Sequence, residues 1–259
     1  MIRFVYHFNY ADGVTREEGD AWYLKEHASQ ARKLPGLVSY LSWPQVDVGI
    51  PSPGPGFPTP EDQFVRRSEL GFEDLSSALA AVNGAPSLWA ASEAEVPGFR
   101  EFECMYLGEE PEYDLLRDVP PQHYKYMTLS MWWPNGQPVI DEHQEIFIHT
   151  YVFAYNEDLE LADAEDWYLG HHTREGKQLP GMQHYRTWKS IRVPEVDGAA
   201  IHPNKFYRLT ELGMSAESYK AVMVNEDSRV RFTPSPFGKV MGNYFNCSTM
   251  RRTVDDLLS

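Results

Sequence analysis

The 259-residue sequence predicts an α+β protein in which one βαββαβ unit is used twice. The first observation is a repeat. Trp22-Tyr23-Leu24, His27, Leu34-Pro35-Gly36, Tyr40 and Trp43 return as Trp167-Tyr168-Leu169, His172, Leu179-Pro180-Gly181, Tyr185 and Trp188, each 145 residues later, so nine identities fall in an ungapped window of 22 residues. A fixed offset of this kind marks a structural unit used again. The second observation is local: helical spacing precedes each Leu-Pro-Gly, and a short aromatic-rich strand follows it. The third is that strand, helix, strand, strand, helix, strand signals surround both copies. That order is the split βαβ arrangement, an antiparallel sheet with both helices on one face.

Taken in order, Ile2 to Tyr10 reads as a strand dense in aromatic and β-branched residues, and Ile146 to Tyr155 is its counterpart. Alternation puts Phe4, Tyr6 and Phe8 on one face, matched by His149, Tyr151 and Phe153, while His7 points the other way and matches Val152. The helix that follows carries acidic residues at its front (Glu17, Glu18, Asp20; Asp163, Glu165, Asp166), suited to the positive end of a helix dipole. It sets Tyr23 with His27, and Tyr168 with His172, four residues apart on one face. Pro35 and Pro180 forbid its continuation, and Gly36 and Gly181 supply the turn. Strands follow over Leu37 to Leu41 and Met182 to Arg186. Five prolines make Gly49 to Gln63 a semi-rigid loop, and Val193 to Asn204 takes its place in the second copy. Such loops read either as lids over a pocket or as plain surface excursions.

Phe64 to Leu70 matches Phe206 to Leu212, with Arg67 and Arg208 as the shared arginine and Glu-Leu-Gly at the end of both. A second helix spans roughly residues 73–82 and 216–224, ending near Asn83 and Asn225, and the last strands, Phe99 to Leu107 and Gly242 to Ser248, hold one cysteine each. The expected organisation is a first repeat over residues 1–107, an insert over 108–145 and a second repeat over 146–259. Within the insert, His123 to Trp133 alternates like a strand before the turn signal Pro134-Asn135-Gly136, and the insert is expected to pack on the repeats.

Composition narrows the function classes. Hydrophobic content of 42% with 14% aromatic residues fits a folded core. Lys+Arg 23 against Asp+Glu 38 leaves a net charge of −15, which speaks against a nucleic-acid partner. Cys104 and Cys247 are too few for a disulfide framework or a thiolate zinc site. His171 and His172 are adjacent and diverge by about 100° on a helix, so they do not share a metal easily and none is expected. No glycine-rich phosphate loop follows a strand, which leaves nucleotide, flavin and NAD binding unsupported. Arg3, His7 and Asn9 interrupt any leader-like apolar run, and no stretch approaches the roughly 20 apolar residues of a membrane span. The expectation is a cytoplasmic protein with no membrane partner.

An aromatic residue, three residues, a histidine, six residues, Leu-Pro-Gly and a following tyrosine occur at Tyr23 to Tyr40 and again at Tyr168 to Tyr185. This pattern resembles the EthD-like branch of the dimeric α/β-barrel superfamily in both halves. Where that family commonly has tryptophan four residues before the histidine, this chain has tyrosine, with Trp22 and Trp167 one place earlier. The resemblance implies two ferredoxin-like sheets packed face to face into a barrel with helices outside, here fused into one chain as an intramolecular pseudo-dimer. It also implies a pocket between each sheet and its helices. The superfamily holds cofactor-free isomerases, polyketide cyclases, lyases, quinone-forming monooxygenases and haem enzymes, so the fold does not choose the reaction.

The repeated Trp, Leu, Pro, Gly and Tyr positions read first as core and turn residues. His27 and His172, each one turn after Tyr23 or Tyr168, read as general acid–base groups, against the alternative of a buried histidine bonded to a backbone carbonyl. His149 is the next candidate, beside Tyr151 on the same strand face. Arg208 and Arg67 read as anchors for a carboxylate or phenolate, with a salt bridge as the alternative. The sequence therefore predicts a cofactor-independent lyase or isomerase in which histidine and tyrosine move protons on a small hydrophobic, aromatic or polyketide-like substrate. The second copy is the favoured pocket, because His149, His171 and His184 stand where the first has Phe4, Glu26 and Ser39. A cofactor-free monooxygenase and a non-catalytic small-molecule-binding protein are the alternatives. Haem, which asks only for an axial histidine, and a homodimer stay open.

Overall fold

The β-rich segments form, in chain order, β1 (Ile2–Tyr10), β2 (Leu37–Pro44), β3 (Arg66–Phe72), β4 (Phe99–Gly108), β5 (Tyr113–Asp114), β6 (Phe147–Tyr155), β7 (Met182–Lys189), β8 (Arg208–Met214), β9 (Met241–Met250) and β10 (Asp255–Asp256). The computed structural model describes residues 1–46, 63–93, 95–126, 132–133, 138–224 and 233–259. Among these residues the strands make two five-stranded antiparallel sheets, β10-β2-β3-β1-β4 and β5-β7-β8-β6-β9. The four long strands of each half take the same order. The two short strands cross over: β5 follows β4 but pairs with β7, and β10 follows β9 but pairs with β2. The residue after each short strand makes the same bond, Leu115 N–H to Tyr185 O and Leu257 N–H to Tyr40 O, both 2.8 Å.

The first helix of each half is not a plain α-helix. It runs α over Arg16–Trp22, π over Tyr23–His27 and α again over Ala28–Ala31, and the second half repeats this over Leu161–Trp167, Tyr168–His172 and Thr173–Gly176. Thr15 caps the first one, with Glu18 completing a reciprocal capping box. The widened turn falls on the repeated Tyr-to-His segment in both copies, and such π turns recur at functional sites. Past each helix Gly36 (φ +73°) and Gly181 (φ +74°) adopt the left-handed conformation that the Leu-Pro-Gly signal predicts. The second helices span Leu75–Asn83, capped by Asp74, and Ala216–Val224.

One face of the first sheet, with Phe4, Tyr6, Phe8 and Leu70, packs on Ala28, Ala31, Ala78 and Val82 of the helices. The opposite face turns to the other sheet: Val5, Met105 and Leu107 share a core with Val152, Leu209, Phe245 and Cys247. Backbone bonds join the two sheets at both ends, Val46 N–H to Ser248 O (2.7 Å) and Ile191 N–H to Tyr106 O (2.8 Å). The chain is thus a face-to-face pair of sheets with helices outside.

One expectation is corrected by register. Phe8 pairs with Arg66 and Phe153 with Arg208, so the counterpart of Arg208 is Arg66, while Arg67 corresponds to Leu209 and points between the sheets. On the last strands Tyr6 pairs with Cys104 and Tyr151 with Asn246, which sets Cys104 towards the helices and Cys247 towards the other sheet. A second correction concerns the insert, where His123–Tyr126 is a short helix rather than the start of a strand. It packs beside the π turn of the second half, and Leu115, Leu116 and Trp132 of the insert are buried against Met182, Tyr185 and Met214. The excursion after β7 places Val193 and Ile201 in the core of the first half, which makes it a cover for that half. Residues 49–62, the turn Pro134-Asn135-Gly136 and Asn225 lie outside the described residues.

Candidate active site

Both halves build the same hydroxyl chain beneath the first helix. In the first half the Tyr23 hydroxyl meets Ser68 Oγ at 2.7 Å, Ser68 meets Ser42 at 2.8 Å, and Arg66 donates to Ser42 at 3.0 Å. In the second, Tyr168 meets Thr210 at 2.8 Å, Thr210 meets Thr187 at 2.8 Å, and Arg208 donates to Thr187 at 3.2 Å. Each arginine is closed off by two carboxylates, Asp20 and Asp255 around Arg66, Glu165 and Glu112 around Arg208. Arg208 is fully buried with Nε, NH1 and NH2 all bonded. Such an arginine fastens the first helix and the crossing strand to the sheet, and it has no fork left for a substrate. Arg67 gives both terminal nitrogens to Thr150, Glu69 and Glu211, while its buried Nε has no partner among the described residues.

The halves differ on the helix-facing side of their central strands. In the first, Tyr6, Tyr23 and Tyr40 bring their hydroxyls within 2.8–3.0 Å of one another, all three buried to 0% exposure. Phe4, Phe102 and Trp89 close around them. Their counterparts Tyr151, Tyr168 and Tyr185 do not close: among the described residues neither the Tyr151 nor the Tyr185 hydroxyl has a hydrogen-bond partner. Gly176 stands where the first half has Ala31, and a Cβ there would lie 2.8 Å from the Tyr185 hydroxyl. The missing methyl lets Tyr185 lean under the helix and away from Tyr168. Tyr151 and Leu212 are half-buried, whereas Tyr6 and Leu70 are sealed.

Four neighbouring positions on that open face are polar. On β6 stand His149 and Tyr151; directly across on β9 stand Ser248 and Asn246. The first half has Phe4, Tyr6, Tyr106 and Cys104 there. His149 Nδ1 is 2.7 Å from Ser248 Oγ, and its ring meets that of Tyr151 edge-on at 4.4 Å. Burial holds the His149 imidazole neutral, pushed down to about 4. Burial raises the Tyr151 hydroxyl, with Tyr219 and Tyr168 nearby adding to the shift, so it stays a donor. The Asn246 side chain is 0% exposed, and neither its amide nitrogen nor its oxygen has a partner. An amide buried in this way costs on the order of 1–3 kcal/mol unless something else bonds it.

The sequence candidates thus divide. His149 and Tyr151 come together. Tyr168 is nearby but spoken for by Thr210. His172 lies stacked on Tyr168 at 5.5 Å and tilted against Trp167 at 5.3 Å, half-buried on the helix side, with burial pushing it down to about 4. In the first half, Tyr23 is locked in the tyrosine cluster, and His27 stacks on it at 5.1 Å with burial pushing it down to about 3. Asn246, Ser248 and Tyr185 were not singled out from sequence; correct register on β9 would have exposed the first two. Lys177 was missed as well. Its amine lies 3.9 Å and 4.3 Å from the ring centres of Trp132 and Trp133. Burial, with Arg174 nearby, pushes it down to about 6, while the two indole faces favour the charged form.

Among the described residues no group of three or more His, Cys, Asp or Glu could hold a metal, and no helix is long and apolar enough to cross a membrane. One cavity, in the first half, has a volume of about 230 Å³ with His27 in its wall. Ordinary ligand pockets run to roughly 300–1,000 Å³, so a haem macrocycle does not fit there.

No protein-family model matches the chain, and no curated protein does. Among solved structures, an anthrone oxidase-like protein aligns with a TM-score of 0.53 at 11% identity, over 100% of this chain and 94% of its own. A chlorite dismutase variant from Candidatus Nitrospira defluvii aligns with a TM-score of 0.45 at 10% identity, over 96% and 90% of the two chains. The first likeness shows a shared fold, consistent with the dimeric α/β-barrel architecture that the sequence resemblance implies.

Proposed function

We propose that the chain is a fused pseudo-dimer of two EthD-like repeats whose second half alone keeps an active site, and that this site moves a proton without a cofactor. His149, neutral and oriented by Ser248, takes the proton from a small aromatic substrate carrying an enolisable or phenolic group. Asn246 and the Tyr151 hydroxyl hold the substrate oxygen and stabilise the negative charge that develops there. One observation carries the reading: the buried Asn246 amide has no partner, and it adjoins a histidine–tyrosine pair on a face that its sealed counterpart lacks.

The resulting carbanion is the start of an isomerisation or an elimination, and a decarboxylation reaches the same kind of carbanion by loss of CO2, with the protonated His149 returning a proton to it; these are the reactions expected from the sequence. The same carbanion meeting dioxygen would give the monooxygenase alternative, which the description of the anthrone oxidase-like structure keeps in view. Anthrone, an enolisable aromatic ketone, serves as the probe. Incubated with the protein in D₂O, it should gain deuterium faster than the solvent background, and His149→Ala should lower that rate about 10²–10⁴-fold. Retention of the probe without exchange would make the second half a binding module and sink the catalytic reading. Oxygen uptake in step with exchange would select the monooxygenase branch.

A further inference from the structure

The first half lacks the polar face but holds the cavity of about 230 Å³ between its first helix and residues 87–92 and 98–99. We propose that this cavity is a second small-molecule site, separate from the second-half face, which takes a neutral single-ring molecule with one hydrogen-bond donor, a phenol being the simplest. The inference does not rest on the catalytic reading above.

Size comes first. The volume falls below the usual range of roughly 300–1,000 Å³ for larger ligands and suits one ring. The walls come next. Trp22 and Phe99 meet edge-on at 5.3 Å, and His27 lies 5.7 Å from Trp22 and 4.8 Å from Phe99. Three rings set at steep angles make an aromatic corner that offers both faces and edges to a planar guest.

Polarity fixes the class. Among the described residues the lining holds Trp22, His27, Gln30, Leu88, Ser92 and Phe99 with small residues between them, and no lysine or arginine. A carboxylate entering it would lose water and gain no cation. His27 is neutral under burial, and a neutral imidazole keeps one acceptor nitrogen. Its contact with the Tyr6 hydroxyl is long, 3.4 Å, and Tyr6 is already bonded to Tyr23 at 3.0 Å and Tyr40 at 2.9 Å. The tyrosine cluster therefore does not need His27; with the proton on Nε2, which is turned to Tyr6, the other ring nitrogen, Nδ1, is the acceptor left for a ligand hydroxyl. The corresponding helix of the second half carries the insert's short helix against its π turn, so the two halves differ here too.

The test is a ¹⁹F NMR titration of the full chain with 4-fluorophenol, 4-fluoroanisole and 4-fluorobenzoate. The phenol should saturate. The anisole, which lacks the donor, should bind about three- to tenfold more weakly, the range of one neutral hydrogen bond. The benzoate should not bind. Ala91→Trp, at an exposed wall position, fills the cavity and should abolish the saturable signal while leaving the circular dichroism unchanged. His27→Phe keeps a ring and should bring the phenol down to the anisole. Asn246→Leu should leave phenol binding as it is. Absence of saturation, unchanged binding in Ala91→Trp, or loss of binding in Asn246→Leu alone would each overturn the proposal. Equal affinity for phenol and anisole would overturn the assigned role of His27.

Discussion

Arg67 on β3 reaches across the space between the sheets to Glu211 on β8, 2.5 Å away, and also pairs with Glu69 on its own strand. Arg3 adds a contact to Glu69 at 3.0 Å and His184 one to Glu211 at 2.7 Å. Burial works against the Glu211 charge, but Arg67 and His184 outweigh it and hold the carboxyl far below the ordinary value. A depressed carboxyl contributes stability above its unfolded value near 4.5, and the contribution is lost as pH falls below that. Glu211→Leu should destabilise the protein by about 3 kcal/mol, because it strands Arg67 with one of its two carboxylates. Arg67→Met/Glu211→Leu should recover most of that and flatten the acid limb of a urea-denaturation series. A double variant as weak as the single one would show that the pair itself, and not the stranded charge, holds the sheets together.

The buried histidines give a second pH signature with its own window. His27 is pushed down to about 3 and His149 to about 4, both by burial, from an unperturbed 6.5. Below pH 6.5 the unfolded chain takes up protons that the folded one refuses, so stability should fall steadily as pH drops from 6.5 towards 4. His149→Gln should shallow that slope. The rate of deuterium exchange should meanwhile stay level between pH 5 and 8, because His149 is a neutral base throughout. A rate that titrates near pH 6.5 would point instead to an ordinary, solvated histidine.

Gly176 and Ala31 offer a matched pair of substitutions. Gly176→Ala puts a methyl 2.8 Å from the Tyr185 hydroxyl and should push that ring towards Tyr168, closing the second half as the first is closed. Exchange activity should drop at least tenfold. Stability should change little, since the gain in helix propensity of about 1 kcal/mol offsets the crowding. Ala31→Gly should cost about 1 kcal/mol and leave exchange untouched. An active Gly176→Ala variant would separate the position of Tyr185 from the chemistry.

Much of this was legible in the sequence, for identifiable reasons. The 145-residue offset gave the element order, because nine identities with turn residues among them constrain a backbone strongly. The preference for the second half, a proposal still to be tested, came from His149, His171 and His184 standing where the first has Phe4, Glu26 and Ser39; the β1 and β6 registers bear out the first of these offsets. A slip of one residue obscured part of the rest. Matching Arg67 to Arg208 was natural by residue type, yet on a strand a one-residue shift exchanges the two faces. Arg66, the true counterpart of Arg208, was hidden by it, and with no register assigned on the last strands Asn246 opposite Tyr151 stayed hidden too. The π turns were beyond pattern reading, since Tyr-x-x-x-His fits an α-helix equally well. The insert was misread at His123 because aromatic alternation over a few residues does not separate strand from a short buried helix.

The crossing strands lead to a last expectation. Leu257 and Leu115 are buried to 6% and 0% exposure, each in the core of the half it did not come from. Asp255 and Asp256 pair with Ser42 and Leu41 of β2, and Tyr113 and Asp114 pair with Thr187 and Arg186 of β7. If the two halves lean on each other through these segments, damage should appear in the receiving half. Leu257→Ala should cost about 2–4 kcal/mol, the usual range for a buried leucine truncated to alanine. Hydrogen exchange should then quicken at Leu41 and Ser42 while Arg186 and Thr187 keep their protection. Leu115→Ala should produce the mirror image. Both sheets should also become stickier in these variants, because an uncovered strand edge invites pairing with another chain. Loss of protection confined to β9 in Leu257→Ala, the strand that precedes the substituted segment, would mean that the segment serves its own half and that the reciprocal docking carries no stability.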